Sequence, residues 1–323
     1  MSLPIVFDTL RLPVVAAPLF IISNPDLLIA ECKAGIVGSF PALNARPIEV
    51  LDQWLARITD ELDRHNQETP DSPAAPFAVN QIVHRSNDRL MQDVELCVKH
   101  KVPIVITSLG ARPEVNDAIH SYGGITLHDV ISNRFAKKAI EKGSDGLIAV
   151  AAGAGGHAGA QSPFALVQEI REWFDGPLLL SGSIANGKSV LATQVMGADL
   201  AYIGSPFIAT EEANAAEAYK RMITECGAED IVYTPYFTGV FGNYLKPSLE
   251  ASGLDPDDLP IEADTKMQFG EGESTKTKTW KDIWGSGQGI GAIKEIVHVT
   301  DRVAELKTQY DAAKAGLQAT LEA

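Results

Sequence analysis

Eight short apolar runs, each followed by a longer amphipathic segment, fill the first 226 residues of this 323-residue chain. No other feature limits the fold as strongly. The runs lie at 13–18, 36–40, 77–81, 102–108, 125–128, 147–151, 177–182 and 200–205. Helical spacing marks the segments at about 24–33, 47–64, 88–100, 113–122, 133–142, 163–173, 188–196 and 210–226. Runs such as Ile104-Val105-Ile106 and Leu178-Leu179-Leu180 stay apolar instead of alternating with polar residues. That is expected of strands buried on both faces of a parallel sheet. The class is therefore α/β. Eight consecutive βα units close naturally into a (β/α)8 TIM barrel, a fold of about 250 residues. An open doubly wound sheet is the alternative that the same alternation permits.

The pattern ends at Cys226. Residues 227–286 are rich in Gly, Pro, Tyr, Asp and Thr, with Asp255-Pro256-Asp257-Asp258 and Glu271-Gly272-Glu273-Ser274-Thr275 among them. Such composition predicts an irregular small domain or lid. From Gly287 a helical pattern returns, with Val299, Val303 and Leu306 as its apolar positions. The expected organisation is a barrel over 1–226, an insertion over 227–286 and a helical segment over 287–323 that packs back on the barrel.

Charge narrows the partners. The net charge of −15 argues against nonspecific binding to nucleic acid or anionic membranes, both of which need basic surface. The apolar run at 14–22 is short and contains Pro18, so neither a signal peptide nor a membrane span is expected. Cys32, Cys97 and Cys226 are few, odd in number and widely spaced, which fits a reduced cytoplasm rather than a disulfide framework. A homo-oligomer is left open. His65, His84, His100, His120 and His298 lie apart without metal-ligand spacing, and no metal is expected.

Barrel enzymes carry their active sites at the carboxyl ends of the strands. Ser181-Gly182-Ser183 follows the seventh run and Gly204-Ser205 the eighth, each just before a helix. Small residues there expose main-chain N–H groups to an anion, and these two loops form the recurrent phosphate site of barrels. Tight βα turns are the plainer reading of either one alone. After the sixth run, Gly153-Ala154-Gly155-Gly156 leads into His157. Those glycines let backbone approach a flat ligand, and the histidine titrates near neutral pH. It is either a catalytic group or a loop cap. Other run ends supply Pro18-Leu19, Asn80-Gln81, Ser108 and His128-Asp129. The Asn80 amide offers donors and an acceptor to a heterocycle edge, or simply forms a turn. His128-Asp129 is a less specific pair, more in keeping with a supporting or structural role. Trp280, Trp284 and Gly285-Ser286-Gly287-Gln288-Gly289 close the insertion.

Together these motifs resemble the nitronate monooxygenases, formerly called 2-nitropropane dioxygenases. The opening strand 13–18, the loop Gly155-Gly156-His157-Ala158-Gly159, the turn at 181–187 and the eighth strand and turn at 196–205 carry the resemblance, which returns at 284–289. It implies an FMN-binding barrel that oxidises alkyl nitronates, such as propionate 3-nitronate, with O2 to a carbonyl compound and nitrite. By position, His157 matches the family's active-site histidine. Gly155, Gly156, Ser181, Gly182, Ser183, Gly204 and Ser205 match flavin or phosphate contacts, and Pro18 and Leu19 the flavin-contacting turn. Asn80 matches a residue near the flavin ring, and Gln288 the closing segment. Two departures bear on the substrate. Relatives often carry an acidic residue where this chain has Gly153, and some carry a lysine near His128. The competing functions are an NAD(P)H-dependent flavin reductase of quinones or enoyl thioesters, and a flavin-binding protein without turnover.

Overall fold

A computed structural model describes residues 3–260 and 282–322. Trp280 and the run 271–275 lie outside the described residues. Eight parallel strands form one sheet in the order β1-β9-β8-β6-β5-β4-β3-β2. They are β1 (Val14–Ala16), β2 (Gly38–Pro41), β3 (Phe77–Ile82), β4 (Ile104–Ser108), β5 (Ile125–Val130), β6 (Gly146–Val150), β8 (Leu178–Ser181) and β9 (Leu200–Ile203). A parallel bridge between Val15 and Val37 joins the two ends, with Ala16 N donating to Val37 O at 2.8 Å, so the sheet closes into a (β/α)8 barrel. Each of the eight expected runs contains or overlaps one of these strands.

Alternation along the strands sorts the core into an inner and an outer layer. Val15, Val37, Ala78, Ile106, Leu127, Ile148, Leu179 and Leu200 fill the inside, where Phe7 joins them. The chain before β1 must reach the amino ends of the strands, so Phe7 plugs that mouth. The outer faces pack against helices α1 (Pro25–Ala34), α2 (Ile48–Glu68), α3 (Leu90–Lys99), α4 (Pro113–His120), α5 (Asn133–Glu141), α6 (Pro163–Arg171) and α7 (Gly187–Val195). Helix α2 buries Leu51, Leu55, Ile58 and Leu62, spaced to lie on one face. Side-chain caps at Asn24, Ser132 and Asn186 accept from main-chain N–H groups and set where α1, α5 and α7 begin.

The helix expected over 210–226 begins only at 217, as α9 (Glu217–Glu225), and a separate short helix α8 (Ser205–Ile208) lies ahead of it. Between them, Glu211 N donates to Val297 O and Asn214 N to Ile22 O. Those donors are taken by distant carbonyls, so a helix cannot propagate through them. The insertion is also more regular than its composition suggests. Strand β10 (Ile231–Thr234) pairs antiparallel with β11 (Gly242–Leu245), which pairs with a two-residue strand β7 (Gly156–His157) in the loop after β6. Ile231-Val232-Tyr233-Thr234 is β-branched and aromatic throughout, a strand signal submerged in the surrounding glycines and prolines. A short helix α10 (Lys246–Ala251) follows, and α11 (Val299–Glu322) ends the chain with Val299, Val303 and Leu306 buried. Among the described residues no helix is long and apolar enough to cross a membrane.

Candidate active site

Backbone strain concentrates at the carboxyl mouth of the barrel. Ile21, Leu109 and Ser183 have φ values of 68°, 64° and 55°, and they sit in the loops after β1, β4 and β8. A β-branched residue such as Ile21 rarely adopts this conformation, and such outliers gather at functional sites. Ile21 N donates to Asn44 Oδ1 at 2.9 Å, and Asn44 Nδ2 donates to Leu19 O at 3.0 Å. The Pro18-Leu19 turn is thereby tied to the end of β2.

On one side of the mouth lies a pocket walled by main chain. Its lining comes from 153–155, 181–185, 202–205, Gly287 and Gly289, with no charged side chain. Four glycine-containing segments converge there. Ser183 N and Gln288 N both donate to Gly153 O, at 3.1 and 2.9 Å. Gly287 N donates to Ser205 Oγ at 3.0 Å. A Cβ on Gly155 would lie 2.8 Å from Gly287 N, and one on Gly289 would lie 2.9 Å from the Ser183 carbonyl. The structure thus brings together Gly155, Ser181, Gly182, Ser183, Gly204, Ser205 and Gln288, which are scattered over 134 positions, from 155 to 288. Small size, main-chain dipoles and a wall without carboxylates fit the phosphate of a mononucleotide. Gly153 explains its own identity. A side chain there would stand 2.1 Å from Ser183 Oγ and 3.1 Å from Gln288 Oε1, so this chain has no room for an acidic residue.

His157 follows Gly156, whose φ of 66° turns the loop back across the mouth. Strand β11 fixes the register: Gly242 is opposite His157 and Asn243 opposite Gly156. Asn243 Nδ2 donates to Ala154 O at 2.7 Å, and Tyr233 OH donates to Ala158 O at 2.9 Å. His157 Nε2 lies 2.8 Å from Thr238 Oγ1. The ring is half-buried, and burial pushes its pKa down to about 4, so it is neutral at pH 7. A neutral imidazole offers one N–H donor and one basic nitrogen, but no positive charge.

His128 and Asp129 do not act as a pair, because adjacent residues of a strand face opposite ways. His128 Nδ1 meets Thr107 Oγ1 at 2.6 Å on the outer face of the sheet. Burial, reinforced by Lys142, holds its pKa down to about 4. Asp129 points into the barrel, where Ser108 Oγ donates to its Oδ2 at 2.6 Å. Asn80 shares that interior: its Nδ2 donates to Ser108 Oγ at 2.7 Å and to Ile106 O at 3.2 Å. Gln81, one residue on, faces outward and donates to Cys97 Sγ at 3.4 Å. Sequence reasoning missed Thr238, Asn243 and Tyr233. They lie in the insertion, and only the β11–β7 register brings them to His157.

Known proteins resemble this chain over most of its length. The family model described as Nitronate monooxygenase matches residues 4–309. A nitronate monooxygenase of Paraburkholderia phytofirmans is 25% identical over 292 residues, covering 76% of each chain. Among solved structures, a nitroalkane oxidase from Streptomyces ansochromogenes superposes with a TM-score of 0.79 at 22% identity, covering 96% of this chain and 99% of that one. FabK from Thermotoga maritima superposes with a TM-score of 0.77 at 21% identity, covering 99% and 100%.

Proposed function

Because the chain belongs to the nitronate monooxygenase family and is an oxidoreductase, we propose that it holds FMN at the carboxyl mouth of the barrel and oxidises alkyl nitronates. O2 is the co-substrate, and propionate 3-nitronate is the type of substrate meant; the products are a carbonyl compound and nitrite. The observation that carries this reading is His157, neutral and anchored by Thr238, on the loop that also walls the main-chain pocket.

The residues divide the work. Ser181, Gly182, Ser183, Gly204 and Ser205 surround the phosphate, using dipoles where no cation is available. Gly155, Gly156, Pro18 and Leu19 let main chain approach the ring system, and Gln288 lies where the closing segment meets Gly153. When bound, FMN supplies the electron-accepting chemistry that the side chains lack. His157 holds the nitronate by an N–H hydrogen bond, since a neutral ring cannot hold it by charge. On a neutral nitroalkane its basic nitrogen removes the proton that makes the nitronate. Within the 227–286 insertion, the described segment 231–245 is stitched to the histidine loop through β11 and shields that side of the site from water, while 1–226 forms the cofactor-binding barrel and 287–323 returns to it. The test is direct: heat-released cofactor should chromatograph as FMN, and the loaded protein should release nitrite from an alkyl nitronate in air. Protein that is colourless and takes up no FMN contradicts the reading.

A further inference from the structure

Three polar side chains line the barrel interior across adjacent strands: Asn80 on β3, Ser108 on β4 and Asp129 on β5. Their hydrogen bonds run in one direction. Asn80 Nδ2 donates to Ser108 Oγ at 2.7 Å, and Ser108 Oγ donates to Asp129 Oδ2 at 2.6 Å. The second Nδ2 hydrogen goes to Ile106 O at 3.2 Å, so both amide hydrogens point toward β4. The Asn80 oxygen therefore points away from β4, and no described residue donates to it. Asn80 is 5% exposed, and its oxygen is not fully enclosed, so it can be reached from outside the protein. An accessible acceptor held in a fixed orientation is available to an N–H donor of a ligand.

The polarity of the row is set at its far end. An ionised carboxylate only accepts, so Ser108 must donate its single proton to Asp129. What remains on Ser108 is a lone pair, and that lone pair selects the N–H side of the Asn80 amide. Burial pushes the Asp129 carboxyl up to about 6, against the lowering effect of the Ser108 and Leu109 hydrogen bonds. It is thus an anion at pH 7. The buried phenol of Tyr202 on β9 is the other titratable group near it.

We propose that Asp129 is a positioning residue for the cofactor: acting through Ser108, it locks the Asn80 amide with its oxygen toward the mouth, where that oxygen accepts the imide N–H of the flavin. This rests on a flavin being the occupant of the mouth. An Asn at position 129 brings a donor of its own. Ser108 can then donate to Asn80 instead, which reverses the amide and presents N–H to N–H.

The test compares FMN with its N3-methyl analogue, which lacks that donor. Dissociation constants are measured by flavin fluorescence for the unsubstituted protein, Asp129→Asn and Ser108→Ala. The unsubstituted protein should bind the methylated analogue about 10-fold more weakly than FMN. In Asp129→Asn, FMN affinity should fall about 10-fold and the preference between the two should shrink toward unity. Ser108→Ala removes the link without altering a charge and should shrink the preference in the same way. A purely structural Asp129 would lower the unfolding temperature and leave the preference intact; an unchanged preference in either variant overturns the proposal. So does equal binding of both flavins by the unsubstituted protein. Failure of that protein to take up any FMN overturns the functional reading instead, and this inference with it.

Discussion

His157 Nε2 stands 2.8 Å from Thr238 Oγ1, although the two residues are 81 positions apart. Thr238 Oγ1 also lies 3.1 Å from Val240 O. The hydroxyl proton can turn to Val240 O, so that Thr238 accepts from Nε2–H and Nδ1 is the basic nitrogen, or to Nε2, which leaves Nδ1–H to hold the nitronate. Thr238→Val keeps the shape and removes the oxygen. Turnover on nitronate should fall about 10-fold, the worth of one hydrogen bond, with FMN content unchanged and Thr238→Ser restoring activity. Equal kcat in the valine variant would show that the contact does not orient the ring.

His157→Asn goes further, because it removes the basic nitrogen. Nitronate turnover should drop while the flavin stays bound. Turnover of the neutral nitroalkane should drop more steeply, by about 10²–10⁴-fold, as expected for a positioned base. Steady-state kinetics on both substrate forms, with flavin content measured alongside, separates the two roles. Full activity in a flavin-loaded variant would remove His157 from the chemistry.

Gly182 has a φ of 141°, and a Cβ there would lie 2.7 Å from Ala152 O. The obstruction is the protein's own backbone rather than the pocket. Gly182→Val should therefore lower the unfolding temperature even without cofactor, as well as weakening FMN binding. Gly153→Glu should do the same through Ser183 Oγ. Thermal unfolding with and without FMN tests this; a variant that loses FMN affinity at unchanged apo stability would place the clash elsewhere.

Acid should destabilise the fold through two of its histidines. His128 and His157 each have a folded pKa of about 4, below the ordinary 6.5. The unfolded chain then binds more protons between those values, so stability falls as pH drops from 6.5 toward 4. Asp129 has the opposite sign: its folded pKa of about 6 lies above the ordinary 3.8, so its ionisation costs stability as pH rises through that range. His128→Gln isolates one histidine, and its urea-unfolding midpoint should change less between pH 6.5 and 4 than that of the unsubstituted protein. An identical pH dependence would contradict a buried, neutral His128.

The barrel was legible in the sequence because continuous apolar strands and amphipathic helices both follow from burial. The two small-residue turns that line the pocket were legible because small residues recur at two successive strand ends. The helix expected over 210–226 failed at Glu211 and Asn214, whose amides bond to distant carbonyls that no local pattern announces. His128-Asp129 read as a pair only while strand alternation was ignored. Thr238 carried no signal at all, since its role depends on a pairing register between segments some 80 residues apart.

The central claim is tested most directly by assaying the purified, flavin-loaded protein on propionate 3-nitronate in air, beside NADH and NADPH without nitronate. The account predicts nitrite release that tracks O2 consumption, with negligible nicotinamide oxidation. Rapid NADH or NADPH oxidation with an enoyl thioester or quinone, and no nitrite from the nitronate, would contradict it and assign the barrel to a reductase.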